Sequence, residues 1–442
     1  MWQRRKIHTY ILLVTYFIIQ LNHGHLALMI RDAATTIIGQ SHHHNDINYS
    51  MAGVTAILSW NDETIIVGPK KGTVYSINNL DKENPVSLLY MDENKYPVYS
   101  LCRIDFDKNH GEKRESYLCC GGGDRWISVW QEQQKIQSES DPKTPQEGEN
   151  RQPTFRFAQK LGPHTGWVKA VVWDEVMGFI HSIGCNCIET WTWTKTSSAD
   201  KTPTITHVRK RSIENCPGIG TALSSDLLCL SWIPPICRQG DKELEHGANT
   251  DNSSFLVSGG VDGRLLLWHS EPKHNPDPID VLLGHDGRVN AVEYSTSLKI
   301  LISVGNDCII QAYTISSSLQ LEHRSTLQID QIIDSSQDKS RRLTSALFLD
   351  IDKNDPTTRQ NLIVGTSHGE VIVVTVTNNA TDNHIVLSLE GISNLPKQKN
   401  LSIIYGMSYS RSSSTLWLGN ADGLAVAEWM LTQDDQDLDS PL

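Results

Sequence analysis

Gly284-His285-Asp-Gly-Arg-Val-Asn-Ala-Val-Glu-Tyr294, continued by Ser303-Val-Gly-Asn-Asp307-Cys-Ile-Ile-Gln-Ala-Tyr313, decides how the chain is read. Its first half recurs without a gap as His164-Thr-Gly-Trp-Val-Lys-Ala-Val-Val-Trp173. In both copies a serine followed by x-Gly comes 18 residues after the histidine, at Ser182 and Ser303. Alternation at period two, with β-branched and aromatic residues, means strands. Self-similarity at a fixed offset means a repeat architecture.

The pattern spreads outward from there. Strands of the same apolar-x-small-apolar-x-aromatic form end at Trp232, Phe348 and Tyr409, and weaker copies begin at Val54 and Val98. A second signature follows each, a glycine at a strand end, then a turn and another strand. It is clearest in Cys120-Gly-Gly-Gly-Asp124-Arg-Trp-Ile-Ser-Val-Trp130 and Ser258-Gly-Gly-Val-Asp262-Gly-Arg-Leu-Leu-Leu-Trp268. Looser copies contain Gly68, Gly184, Gly365 and Gly419, which makes seven units.

These motifs resemble the WD40-repeat β-propeller family over roughly residues 51–432. The resemblance implies an all-β chain: a seven-bladed β-propeller of four-stranded antiparallel blades, spanning 34–432 and closed by an N-terminal strand. Blades are expected near 51–80, 95–131, 160–193, 226–269, 283–314, 341–376 and 401–430. The family's buried tetrad joins a histidine, a Ser or Thr, a turn aspartate and a tryptophan. That implies structural roles for His285, Ser303 and Asp307, with Tyr313 in the tryptophan's place. Ser258, Asp262 and Trp268 match without a histidine; Asp124 and Trp130 match in the second unit. His164, Ser182 and Trp191 match in the third, with Asn186 standing for the aspartate. No unit ends in Trp-Asp.

Physics supports the same architecture. A four-stranded blade exposes two apolar faces and gains stability only by stacking in a ring. Seven units over 51–432 average about 55 residues against a typical 40–45, so the excess belongs to loops. Polar stretches at 131–153, 194–225, 238–254 and 334–340 supply it as surface insertions. Residues 433–442 form an acidic tail and leave the last blade without an outer strand. The β-branched run Ala34-Thr-Thr-Ile-Ile-Gly39 is the expected donor.

Residues 1–27 open with Arg4, Arg5 and Lys6, followed by an apolar stretch over 7–21. That is the layout of a secretory or organellar signal and is short for a bilayer span. A membrane anchor, a mistaken gene start and an ordinary tail are the alternatives. Localisation therefore stays open between the cytoplasm, which the family resemblance implies, and a secretory or organellar compartment. The nine cysteines are odd in number and lie mostly in apolar strand patterns, which fits a reduced interior better than a disulfide framework.

The 442-residue chain carries 39 Lys plus Arg against 51 Asp plus Glu, a net charge of −12, which argues against direct basic contact with nucleic acid. Asp105-Phe-Asp107-Lys-Asn109 and Asp350-Ile-Asp352-Lys-Asn354 place oxygens at alternate positions, as calcium loops do. Both lack the loop's glycine and closing glutamate, so tight turns are the leading reading. His42-His-His44 could hold a metal, with thiolates from Cys185-x-Cys187 or Cys119-Cys120, but the paired spacing of a structural zinc site is missing. Arg209-Lys-Arg211 is open to use as a docking or processing patch, but three charges in an acidic chain read first as a solvated loop. Trp167 and its repeat partner Arg288 lie between a turn and a strand start, a position that suits an interaction rim as well as local packing.

Enzyme signatures such as G-x-S-x-G, H-E-x-x-H and the phosphate-binding loop are missing from the sequence. The expected function is a non-catalytic scaffold that binds a protein or peptide through its rim loops, without a cofactor and in an undetermined oligomeric state. The alternative is a lumenal or organellar propeller with metal-assisted hydrolase or lyase activity.

Overall fold

The computed structural model describes residues 26–32, 53–61, 63–78, 86–91, 96–106, 115–133, 153–194, 204–213, 226–236, 253–331, 341–349, 359–379, 384–394, 403–410, 415–421 and 424–431. They form an all-β chain of seven four-stranded antiparallel sheets. After β1 (Leu26–Asp32), the first sheet holds β2 (Val54–Ser59), β3 (Thr64–Pro69), β4 (Thr73–Asn78) and β5 (Val86–Met91). The second holds β6 (Val98–Phe106), β7 (Glu115–Gly122), β8 (Ile127–Gln133) and β9 (Thr154–Leu161). The third holds β10 (Val168–Asp174), β11 (Phe179–Gly184), β12 (Cys187–Thr194) and β13 (Thr204–Ser212). The fourth holds β14 (Leu227–Ile233), β15 (Phe255–Gly260), β16 (Arg264–His269) and β17 (Asp280–Leu283).

The fifth sheet holds β18 (Val289–Ser295), β19 (Ile300–Gly305), β20 (Ile309–Ile315) and β21 (Leu321–Gln328). The sixth holds β22 (Leu343–Leu349), β23 (Arg359–Thr366), β24 (Glu370–Asn379) and β25 (His384–Asn394). The seventh holds β26 (Ile404–Ser410), β27 (Thr415–Asn420) and β28 (Leu424–Leu431), with β1 paired antiparallel to β28 from Leu26↔Leu431 to Asp32↔Ala425. Each inner strand lies against the next, and β26 lies against β2.

The recurring glycine of the sequence signature has a packing cause. A Cβ on Gly68 would stand 2.6 Å from Val98 Cγ1, and one on Gly259 2.6 Å from Val289 Cγ1. The same approach occurs at Gly121 and Val168, Gly365 and Ile404, and Gly419 and Val54, each at 2.7 Å. A second strand thus meets the β-branched first residue of the next inner strand, with room only for hydrogen. The third and fifth sheets carry Ile183 and Val304 at this register position, and there the partners in the packed clusters are Leu227 and Leu343. Size at one position is matched by shape at the other, as close-packed interiors require.

Three expectations are corrected. The strand paired with the last sheet is Leu26–Asp32, upstream of the chosen run, while 34–39 lies outside the described residues. An edge strand pairs on one side only, so β-propensity locates it poorly. The fourth strands β5, β9, β13, β17, β21 and β25 fall beyond the spans given to the blades, because outer strands are polar and break the apolar pattern. Arg209-Lys-Arg211 belongs to β13, where Arg211 is 1% exposed.

Candidate functional site

Every inner strand carries a one-residue register shift at the same place, passing over Thr55, Tyr99, Lys169, Leu228, Asn290, Thr344 and Tyr405. A bulge re-aims the extra side chain. The turns between second and third strands dock on the residues that lead into the inner strands. Lys70 N donates to Gly53 O at 2.8 Å, Gly123 N to Pro97 O at 2.8 Å and Asn306 N to Arg288 O at 2.9 Å. Val261 to Asp226, Ser367 to Arg342 and Ala421 to Ile403 repeat the bond. These turns and the shifted residues therefore share one rim.

On that rim the side chains form an aromatic and cationic cluster. Tyr99 stacks on Trp167 with centroids 5.7 Å apart and planes at 24°. Lys169 Nζ stands 3.7 Å from the Tyr99 ring centroid and 4.6 Å from that of Trp167. Lys70 Nζ donates to Tyr405 Oη at 2.8 Å and lies 4.4 Å from its ring centroid. Burial pushes the Lys169 ammonium below its ordinary value; Asp226 opposes the shift and Arg288 adds to it. Burial, with Tyr405 nearby, pushes the Tyr99 phenol up. Each cation–ring contact is worth about 0.5–2 kcal/mol, so the rings are held in place before any partner arrives. Trp167 nevertheless keeps 53% of its surface exposed, and Arg288 is exposed. Sequence reasoning singled out Trp167 and Arg288 and missed Tyr99, Lys169, Tyr405 and Lys70. The signal for the first three was available: they hold the second position of aligned inner strands.

The tetrad histidines and serines, with Trp191, Trp268 and Tyr313, are buried, while Trp130 is half-buried and Asp124, Asp262 and Asp307 sit half-buried in the turns of this rim. In the fifth sheet His285 Nδ1 lies 2.9 and 3.0 Å from the two Asp307 oxygens, and Nε2 lies 2.7 Å from Ser303 Oγ. Tyr313, fully buried, donates to Gln311. In the fourth, Trp268 Nε1 donates to Ser258 Oγ at 3.0 Å, while Asp262 accepts from Arg264 N in the turn. In the second, Asp124 accepts from Trp126 N and pairs with Lys160, and Trp130 packs edge-on against Phe157.

The third sheet differs. Trp191 Nε1 donates to Ser182 Oγ at 3.1 Å, and Ser182 Oγ lies 3.0 Å from His164 Nε2. The acid facing His164 Nδ1 is Glu189, at 3.5 Å, in place of the expected Asn186. The cause is turn length. Pairing of β11 and β12 runs to Gly184↔Cys187 and leaves a two-residue turn, whereas β19 and β20 are separated by Asn306-Asp307-Cys308. The shorter turn has no place for the aspartate.

A second polar network, invisible in the motifs, joins the third and fourth sheets. Asp174, fully buried, takes hydroxyl protons from Ser254 and Ser270 through Oδ2 and turn N–H groups from Val176 and Met177 through Oδ1. His181 bridges Ser270 Oγ at 2.8 Å and Thr190 Oγ1 at 3.0 Å, and burial drives its imidazole well below the ordinary value. Arg211 donates to Ser270 O at 3.0 Å and to Thr190 Oγ1 at 3.3 Å. Serine, histidine and aspartate meet here, but Asp174 bonds the serine rather than the imidazole, and all three are sealed from solvent. The arrangement is a clamp between sheets.

Of the calcium-loop candidates, Asp105 is a residue of strand β6 rather than of a loop, and its carboxylate accepts from Arg103 Nε at 3.0 Å and Ser116 Oγ at 2.7 Å. Asp107, Asn109, Asp350, Asp352, Asn354 and the 42–44 histidines lie outside the described residues. Cys119 and Cys120 are buried, and desolvation pushes both thiols up. No helix among the described residues is long and apolar enough to cross a membrane.

Comparison with known proteins agrees with this geometry. The sequence model described as WD domain, G-beta repeat matches residues 276–313, which include β17 through most of β20. The crystal structure of the WD40 β-propeller domain of Doa1 superposes with a TM-score of 0.52 at 14% identity, covering 88% of this chain and 96% of that one. At that identity the likeness concerns the fold. A sequence search of curated proteins finds no match.

Proposed function

We propose that this WD40-repeat β-propeller is a non-catalytic scaffold that binds a protein or peptide on the rim carrying Trp167 and Arg288. WD40 propellers are in general protein-interaction scaffolds. The single observation that carries the reading is the exposed Trp167 ring, braced by Tyr99 and Lys169 on a rigid sheet end. Interface hot spots are enriched in Trp, Tyr and Arg, and a side chain already immobilised loses little entropy on binding. The alternative, metal-assisted catalysis through the aspartate loops, draws no support from Asp105, whose oxygens are occupied by Arg103 and Ser116. The test is quantitative affinity capture with wild type and with Trp167→Ala. Loss of a defined set of proteins from the variant supports the rim; identical capture removes it.

A further inference from the structure

We propose that His164 Nδ1, Cys187 Sγ, a Glu189 carboxylate oxygen and His207 Nε2 form a zinc site in the third sheet. The first three ligand atoms lie within 4.8 Å of one another, and all three residues are buried. Glu189 Oε1 is 3.5 Å from His164 Nδ1, and Glu189 Oε2 is 3.6 Å from His207 Nε2. Zinc bonds of about 2.0–2.3 Å set ligand-to-ligand edges near 3.3–3.8 Å in a tetrahedron. Both separations fall in that range, one through each oxygen of Glu189, so the carboxylate faces both imidazoles. Two imidazoles, a thiolate and a carboxylate form a borderline-soft donor set that suits zinc over calcium or magnesium.

A second observation points to a cation. His164 Nδ1 is sealed from solvent and accepts or donates no hydrogen bond. With the ring proton on Nε2, donated to Ser182 Oγ, the Nδ1 lone pair faces the Glu189 carboxylate across 3.5 Å and is free to ligate. In the fifth sheet the equivalent nitrogen is satisfied by Asp307 at 2.9 Å, so the third sheet has lost the tetrad acid and acquired metal-binding groups in its place. Ser182 and Trp191 then hold the ligand ring from behind, as outer-shell partners of metal-bound histidines do. Cys187 now donates to Gly184 O at 3.1 Å, and that proton passes to solvent when the thiolate binds metal. His207, 43% exposed, gives the ion its way in.

The test is titration of the metal-free full chain with Co²⁺, followed by absorbance, and displacement by Zn²⁺. One equivalent should bind with tetrahedral ligand-field bands and a thiolate charge-transfer band, and Zn²⁺ should abolish both. Cys187→Ser should remove the charge-transfer band, and the surface variant His207→Ala should weaken binding by at least the roughly 10–100-fold that losing an outer-shell partner costs. Cys185→Ser should leave both intact, with circular dichroism confirming that each variant folds. Binding at the 42–44 histidines gives no thiolate band and so counts against the proposal when it is all that is seen. A band that survives Cys187→Ser, or no band in wild type, overturns it.

Discussion

Replacing Asp174 by alanine should loosen the joint between the third and fourth sheets and little else. The carboxylate accepts four hydrogen bonds, two from Val176 and Met177 N–H in the β10–β11 turn and two from the hydroxyls of Ser254 and Ser270. Val176 is half exposed, so the turn amides recover water and their loss costs little. Ser254 and Ser270 are fully buried and recover no water. Hydrogen bonds to a charged group contribute about 1.5–3 kcal/mol each, so the two hydroxyls set the expected loss at about 3–6 kcal/mol. Asp174→Asn keeps the shape and one carbonyl acceptor and should lose about half as much. Native-state hydrogen exchange is the appropriate assay, because a succession of seven packed sheets opens locally and one global unfolding energy would blur the effect. Protection should fall in β10, β11, β15 and β16 and persist in β19, β20 and β24. Ser270→Ala combined with Asp174→Ala should cost less than the two separately, since they share one bond. A loss below about 1 kcal/mol, or loss spread evenly over all seven sheets, would refute the clamp.

Gly419→Ala should cost about 1–3 kcal/mol by overpacking at the joint between the last and first sheets, read as a lower Tm; an unchanged Tm would mean that the approach to Val54 is not tight. Glu293 on β18 is pushed up by burial to about 8 from 4.5, so the native state holds a proton that the unfolded chain releases. Stability from this residue is present below pH 4.5 and is lost as pH rises towards 8, and Glu293→Gln should flatten that slope in a pH series of thermal melts. We further propose that β1 completes the last sheet in solution and that residues ahead of it are a targeting segment. Deleting 26–32 should then bare the β28 edge and produce concentration-dependent association by light scattering, whereas a monodisperse chain of unchanged Tm would refute the pairing.

How far the sequence reaches is set by range. The seven-unit repeat is legible because one packing constraint, a glycine under a β-branched residue, is imposed at five of the seven joints and leaves a mark in the sequence. The His285, Ser303 and Asp307 cluster is legible because its members keep family spacing on adjacent strands. Glu189 was missed because shortening a turn by one residue moved the acid from the turn to the strand, and spacing alone named Asn186. Asp174 was missed because its partners are 80 and 96 residues away and each is an ordinary serine. The outer strands and β1 pair on one side only, so burial does not write an alternating pattern into them. Of the rim, Trp167 stood out as an odd residue at an aligned position, while Tyr99 and Lys169 hold a shared second position whose outward aim comes from the register shift.

The central claim is that partners meet the rim around Trp167, and photocrosslinking tests it most directly. A photoreactive residue is placed at position 167 in one version of the full chain and at position 176, an exposed turn on the opposite rim, in another. Both are irradiated in cells under the same conditions. The account predicts discrete protein adducts from position 167 and none of the same species from position 176. Equal adducts from both positions, or adducts from 176 alone, would contradict it.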